Sequence, residues 1–324
     1  MAVTVAYSHF RQYTARLFTD KDGLMIKQVA IVGGTHGNEF TGVYLLKKWQ
    51  QQQQKIERDS FTTQTVFANT KAFANNCRYI DNDLNRRFTQ AQLDDVSLSG
   101  YEESRAKALN QQLGPKDAAK QGIKAKTDFI IDLHTTTSNM GTTLLLPADN
   151  QFYTQLAAYA KSKMPELTVF TAYADKSRED GFLLCTIAEQ GVIIEVGPIP
   201  QGVLRQDVFE QTERLSHIIL DFVDLRNRND LPPLPATVST FRFVDKITLP
   251  MDENGERLAM VHKNIQDKDF TAIHPGDPIF TMLTGEEVLY QGKEVVYPAF
   301  VNEAAYYDDN LAMSLLTKID LVVE

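Results

Sequence analysis

The stretch "VAIVGGTHGNEFTGVYLLKKW", Val29 to Trp49, holds an apolar run, two glycines, a histidine and glutamate three residues apart, and an amphipathic segment. It reads as a buried strand, "KQVAIVGG", turning into a helix, "NEFTGVYLLKKWQ", with Tyr44, Leu45 and Leu46 facing inward. The same texture continues outward. "QTVFAN", "DFIIDLH", "TTLLLP", "LTVFTAY" and "GVIIEVGP" read as strands, and "QFYTQLAAYAKSK" and "RQDVFEQTERLSHIILDFVDLRNR" as helices. Strands alternating with helices predict an α/β domain around a largely parallel sheet covered on both sides. Ligand sites in such sheets lie off the carboxyl ends of the strands.

After the long helix comes "NDLPPLP", Asn229 to Pro235, whose prolines mark a linker. Beyond it, "TVSTFRFVDKITLP", "RLAMVHK", "PIFTM" and "KEVVYPAF" are short β-type runs broken by "DENG" and "HPGD" turns. A helical period reappears only at "NEAAYYDDNLAM". The expected division is residues 1–230, an α/β domain, and residues 231–324, a smaller β-rich domain.

Composition excludes several classes. The 324 residues carry a net charge of −9, which disfavours nucleic acid or an anionic membrane as the main partner. No run reaches the roughly 20 apolar residues of a membrane helix. The N-terminus shows no apolar run with a small-residue cleavage site, and Cys77 and Cys185 are the only cysteines. Both features lead to the expectation of a reducing, cytoplasmic setting.

His36 and Glu39, spaced i, i+3 at a helix start, fall on one face and can share a Zn²⁺ ion. Catalytic zinc takes three protein ligands, His₂Glu among the known sets, plus a water. The bland alternative is a glycine turn whose histidine caps a helix or binds an anion. His134 closes "FIIDLH" and offers a third ligand. Asp132, two residues earlier, is either an orienting carboxylate for that imidazole or a solvated strand end. Glu195 stands inside "GVIIEVGP", where an unpaired carboxylate is costly; it is either ion-paired or a general base. "RYIDNDLNRRF", Arg78 to Phe88, reads as a salt-bridged loop or as an anion clamp built on arginine forks. His217, His262, His274 and His9 take no part in these patterns, and Trp49 reads as packing.

Six motifs, "GGTHGNE", "RYIDNDLNR", "DLHTTTSNMG", "EVGPIPQGVLR", "HPGDP" and "YPAFVNEAAYY", occur in order from about Val29 to Tyr307. Together they resemble the aspartoacylase family, zinc amidohydrolases of N-acyl amino acids related to zinc carboxypeptidases. The resemblance implies a zinc-carboxypeptidase-like mixed sheet flanked by helices, with a β-rich domain narrowing the entrance. It implies one Zn²⁺ per chain on His36, Glu39 and His134, with Glu195 as general base and acid. Arg78 matches the arginine that polarises the scissile carbonyl, and Asn85 and Arg86 the pair gripping a substrate carboxylate. Tyr306 matches a tyrosine reaching in from the second domain, and Asp83 a supporting acidic residue. A homodimer acting on a small N-acyl amino acid is implied as well.

One position departs from the pattern. Aspartoacylases proper hold the aspartyl side-chain carboxylate with a tyrosine and an arginine just before "IIEVGP". Aligned without gaps, these positions fall on Gly181 and Cys185, within the apolar "GFLLCTIAE". Arg178 or Lys176 could substitute if that loop turns inward. The implied reaction is hydrolysis of N-acyl-L-aspartate. The alternatives are an aminoacylase-3-like preference for N-acetyl aromatic or thioether amino acids, and hydrolysis of a succinylated amino acid.

Overall fold

The structure, a computed structural model, describes residues 25–172 and 177–323. The expectations for His9, Lys176 and the N-terminal segment lie outside them.

Twelve strands occur among the described residues: β1 Gln28–Gly33, β2 Thr62–Phe67, β3 Phe129–Thr135, β4 Gly141–Leu146, β5 Thr168–Thr171, β6 Gln190–Gly197, β7 Thr237–Thr248, β8 Ala259–Val261, β9 Pro278–Met282, β10 Glu287–Leu289, β11 Tyr297–Ala299 and β12 Leu311–Val322. The helices are α1 Phe40–Gln51, α2 Thr70–Ala74, α3 Gln90–Asp94, α4 Tyr101–Leu113, α5 Gln151–Lys163 and α6 Gln206–Asn227. Nine strands form one sheet in the order β11-β12-β7-β5-β4-β6-β3-β1-β2, and β10-β9-β8 form a second.

The sheet is more mixed than the alternation of elements predicts. β2, β1, β3 and β6 are mutually parallel. β4 is antiparallel to β6 because only a short loop, with no crossover helix, separates it from β3. β7 then pairs parallel with β5, so the sheet continues past the proline linker into the C-terminal strands.

Strand periodicity explains the two covered faces. Val29, Ile31, Phe129, Ile131, Val192 and Ile194 join the core under α1, α5 and α6, with Trp49, Phe152 and Phe222. Ala30, Val32, Ile130 and Ile193 join the other core, with Leu109 of α4, Phe88 and Leu184. Asp132, His134 and Glu195 follow the second phase, at the carboxyl ends of β3 and β6.

Two local expectations are corrected, and one helix had no counterpart in the sequence reading. Tyr44 is 37% exposed, while Leu45 and Leu46 are buried as expected; its ring contacts Phe40 and Phe73 at the surface instead. "NEAAYYDDNLAM" is no helix. It holds a 3₁₀ turn, Ala304–Tyr306, between Asn302 and Asn310 in left-handed conformations, then enters β12. Asparagine tolerates φ > 0 and breaks the helical continuation. α4 was not evident from periodicity, because its buried face includes Glu102 and Glu103 beside Ala106 and Leu109.

Candidate functional site

The glycine turn after β1 sets the first two side chains. Gly34 has φ +69°, and a Cβ on Gly37 would fall within 2.1 Å of Ala72 backbone. Both constraints exclude larger residues and fix the path of the chain through His36. Glu39 immediately precedes α1 and makes no side-chain capping bond there. The His36/Glu39 pairing therefore comes from this turn rather than from the helical period.

His134 Nδ1 lies 2.9 Å from Glu39 Oε2, and His36 Nδ1 lies 2.6 Å from Glu39 Oε1. Donor atoms of the three residues all fall within 4.8 Å of one another, and all three residues are buried. The other nitrogen of each ring is backed by a carboxylate: His36 Nε2 lies 3.0 Å from Asp83 Oδ1, and His134 Nε2 3.0 Å from Asp132 Oδ2. Thr35 Oγ1 donates to the remaining Asp132 oxygen at 2.7 Å. Asp132 is fully buried, which removes its reading as a solvated strand end. Carboxylates behind ligand imidazoles are the usual means of fixing ring orientation at a metal centre.

Electrostatics agree with a cation site. Burial pushes the Glu39 carboxyl up, but His36 and His134 outweigh it and hold Glu39 far below the ordinary carboxylate range. Burial opposes protonation of His134, yet Asp132 and Glu39 raise it well above an ordinary histidine. The cluster thus favours added positive charge. Two imidazole nitrogens and one carboxylate oxygen are donors that suit a divalent transition metal, which would supply that charge and leave the rings neutral.

Arg78 sits against this group. Its Nη2 donates to Asp83 Oδ2 at 2.9 Å and its Nη1 to Glu39 Oε1 at 3.3 Å. Burial disfavours its charge, but Asp83 and Glu39 more than restore it. The loop carrying Arg78 is held by fully buried Glu102, which accepts from the Ile80, Asp81 and Asn82 amides. Glu195 is the Cα partner of His134 across β3 and β6. Burial, reinforced by Glu39 and Glu303 against His134 and Arg78, raises its pKa well above the ordinary 4.5.

Asn85 Nδ2 lies 3.4 Å from His134 Nε2, while its Oδ1 accepts from the Leu184 amide at 2.8 Å. Arg86 donates to Asn85 O and stacks 5.1 Å from the Phe182 ring centroid. The Tyr306 ring lies 6.0 Å from Arg78 Cζ. His36, Glu39, Arg78, Asn85, Arg86, His134, Glu195 and Tyr306 all line one open cavity of about 350 Å³. Asp83 and Asp132 stand behind it.

Sequence reasoning passed over Glu303. Its Oε2 accepts from Thr136 Oγ1 and from the Thr137 and Ser138 amides, and its Oε1 from Ala305. It therefore ties the loop after His134 to the turn carrying Tyr306. A buried glutamate inside "FVNEAAYY" was the available signal. Lys246, exposed on β7, also lines the cavity. The rest of the lining is largely apolar, including Leu145, Phe170, Leu183, Ile193, Phe243 and Phe300.

Of the two expected anchor substitutes, Arg178 is the one among the described residues, and it does not line this cavity. Arg178 points away, donating to Thr186 O, Ile187 O and Glu189 Oε1. It satisfies the carbonyls of the 3₁₀ turn Leu184–Ile187 rather than facing the cavity. Cys185 is buried beside Gly191 in a separate cavity, and Leu183 is the residue of "GFLLC" facing the catalytic one. His217 packs edge-on against buried Trp49, and His262 lies 3.2 Å from Glu287. His274 sits in a turn closed by Asp277.

Residues 25–223 match the succinylglutamate desuccinylase/aspartoacylase catalytic domain, and residues 236–318 the AstE/AspA barrel-sandwich hybrid domain. A probable aspartoacylase of Acaryochloris marina is 42% identical over 91% of this chain and 97% of its own length. The N-acyl-aromatic-L-amino acid amidohydrolase (carboxylate-forming) of Homo sapiens is 40% identical over 92% of each chain. The crystal structure of murine aminoacylase 3 superposes with a TM-score of 0.85 at 39% identity, covering 92% of this chain and 97% of that one. The chain belongs to the succinylglutamate desuccinylase/aspartoacylase family.

Proposed function

We propose that the protein is a zinc-dependent amidohydrolase of N-acyl-L-amino acids that prefers aromatic or other apolar side chains over aspartate. The observation carrying this reading is a single cavity that joins His36, Glu39, His134 and Glu195 to an apolar wall. Relatives named as aromatic-amino-acid amidohydrolases and as probable aspartoacylases support the reaction class.

His36 Nδ1, His134 Nδ1 and a Glu39 oxygen would hold the metal. Zinc at such a His₂Glu site supplies Lewis acidity and lowers the pKa of water to about 7. Glu195 takes the proton of the attacking water and later delivers it to the leaving amine. Its raised pKa makes it a stronger base than an exposed glutamate. Arg78, fixed by Asp83, offers N–H donors to the oxygen that gains charge in the transition state. Asn85 and Arg86 bind the substrate carboxylate, and Tyr306 closes the cavity from the C-terminal side. Carboxylate and free amino acid leave.

An aspartyl carboxylate set against Leu183, Ile193 and Phe170 would be desolvated without a partner, at a cost of several kcal/mol. An aromatic ring gains there instead. Lys246 favours a second reading, in which an ammonium at the cavity mouth receives the aspartyl carboxylate. Measuring kcat/KM for N-acetyl-L-tyrosine and N-acetyl-L-aspartate, with zinc quantified, separates the two. The first reading expects tyrosine to lead by about tenfold or more. Preference for aspartate that disappears in Lys246→Met would establish the second.

A further inference from the structure

Lys116 is 2% exposed and lies outside the catalytic cavity. Its Nζ donates to Phe88 O at 2.7 Å, Gly181 O at 2.5 Å and Thr186 Oγ1 at 2.8 Å. An ammonium has three N–H donors, so all are used. The acceptors are two carbonyls and a hydroxyl, and the Lys116 amide is itself held by Asn110 Oδ1 of α4. Burial, with Arg178 nearby, lowers the Lys116 pKa to about 7; Cys185, Asp180 and Glu179 oppose that shift. A buried cation held only by neutral dipoles is a poor source of stability, which calls for another account of it.

The three acceptors belong to two segments that meet at the cavity. Phe88 follows Arg86 by two residues and Asn85 by three. Gly181 and Thr186 bracket Leu183, on the apolar wall. The segments touch elsewhere through Phe88 N to Phe182 O at 3.3 Å, Leu184 N to Asn85 Oδ1 at 2.8 Å, and the Arg86–Phe182 stack. Thr186 Oγ1, accepting from Lys116, lies 2.6 Å from Leu183 O, to which it donates. A hydrogen-bonded chain therefore runs from the ammonium to the backbone of the wall residue.

We propose that Lys116 is a positioning residue that sets the spacing between the Asn85–Arg86 clamp and the Leu183 wall, and thereby where a bound substrate's carboxylate stands relative to its side chain. This rests on the reading of Asn85 and Arg86 as the carboxylate clamp.

Lys116→Met keeps length and removes the charge. On N-acetyl-L-tyrosine it should raise KM by about tenfold or more, the scale of coupling within one network. kcat should stay within about threefold, since the reacting groups are untouched, and bound zinc should be unchanged. In an Arg86→Ala background the same substitution should add less than about twofold to KM, because the clamp it positions is already gone. Thr186→Val, which removes one acceptor, should raise KM in the same direction by less. It carries the same double-variant test if Lys116→Met fails to fold. Unchanged KM in both Lys116→Met and Thr186→Val, or a full additional rise on top of Arg86→Ala, overturns the proposal. An Arg86→Ala enzyme with normal KM would instead overturn the clamp reading itself.

Discussion

The two sides of the catalytic cavity are built differently. On the polar side each group is held by at least one other: Asp83 against both His36 and Arg78, Asp132 against His134 and Thr35, Glu39 against both rings. The apolar lining, Leu145, Leu183, Ile193, Phe170, Phe243 and Phe300, offers hydrocarbon side chains that carry no donor or acceptor. Hydrogen bonds fix atoms to tenths of an ångström and tolerate no change of donor type. Apolar packing accepts swaps of similar volume at modest cost. The polar side is thus suited to defining a reaction, and the apolar side to defining which side chain enters.

The largest effect should come from the polar side. His134→Ala should lose both bound metal and activity, read by metal analysis alongside turnover. Full metal occupancy in that variant would break the comparison at its base. Glu195→Gln should retain metal and lose roughly 10²–10⁴ in kcat, the worth of a positioned acid–base group.

The pH profile sharpens that point. Glu195 serves as a base only when deprotonated, so kcat/KM falls as pH drops through its pKa. Because burial raises that pKa, the acid limb should lie well above the 4.5 of an ordinary glutamate. A limb at the ordinary value would assign the base elsewhere. One step outward, Asp83→Asn and Asp132→Asn should each cost about 10–100-fold in metal affinity or activity.

The smallest effect belongs to the apolar side. Leu183→Ala should change kcat/KM for N-acetyl-L-tyrosine by about 10-fold and leave metal content unaltered, the size of a side-chain contact in a hydrophobic pocket. A loss as large as that of Glu195→Gln would erase the distinction between the two sides.

The same difference governs what the sequence discloses. His134 and Glu195 stand out because a polar residue within "FIIDLH" or "GVIIEVG" needs a reason, and His36 and Glu39 because they stand three residues apart at a strand-to-helix turn. Leu183 and Ile193 do not stand out, since an apolar residue lining a cavity and one filling a core look alike in one dimension. Pairings across long separations are equally hidden. Glu303 on the Thr136 loop and Lys116 between two segments join residues 167 and 65 apart. In the fold, β3, β6, α5 and α6 were evident from periodicity. β12 was not, because "NEAAYYDDNLAM" mimics a helix until two left-handed asparagines interrupt it. The gapless placement of Cys185 on the pocket failed because a 3₁₀ turn rotates it away and presents Leu183.

The most direct test of the central claim is anomalous diffraction at the zinc edge from crystals of the zinc-loaded protein. The account predicts one zinc per chain, bound by His36 Nδ1, His134 Nδ1 and Glu39, with both Nε2 atoms still on Asp83 and Asp132. Zinc bound through Nε2, or at a site excluding Glu39, would contradict it.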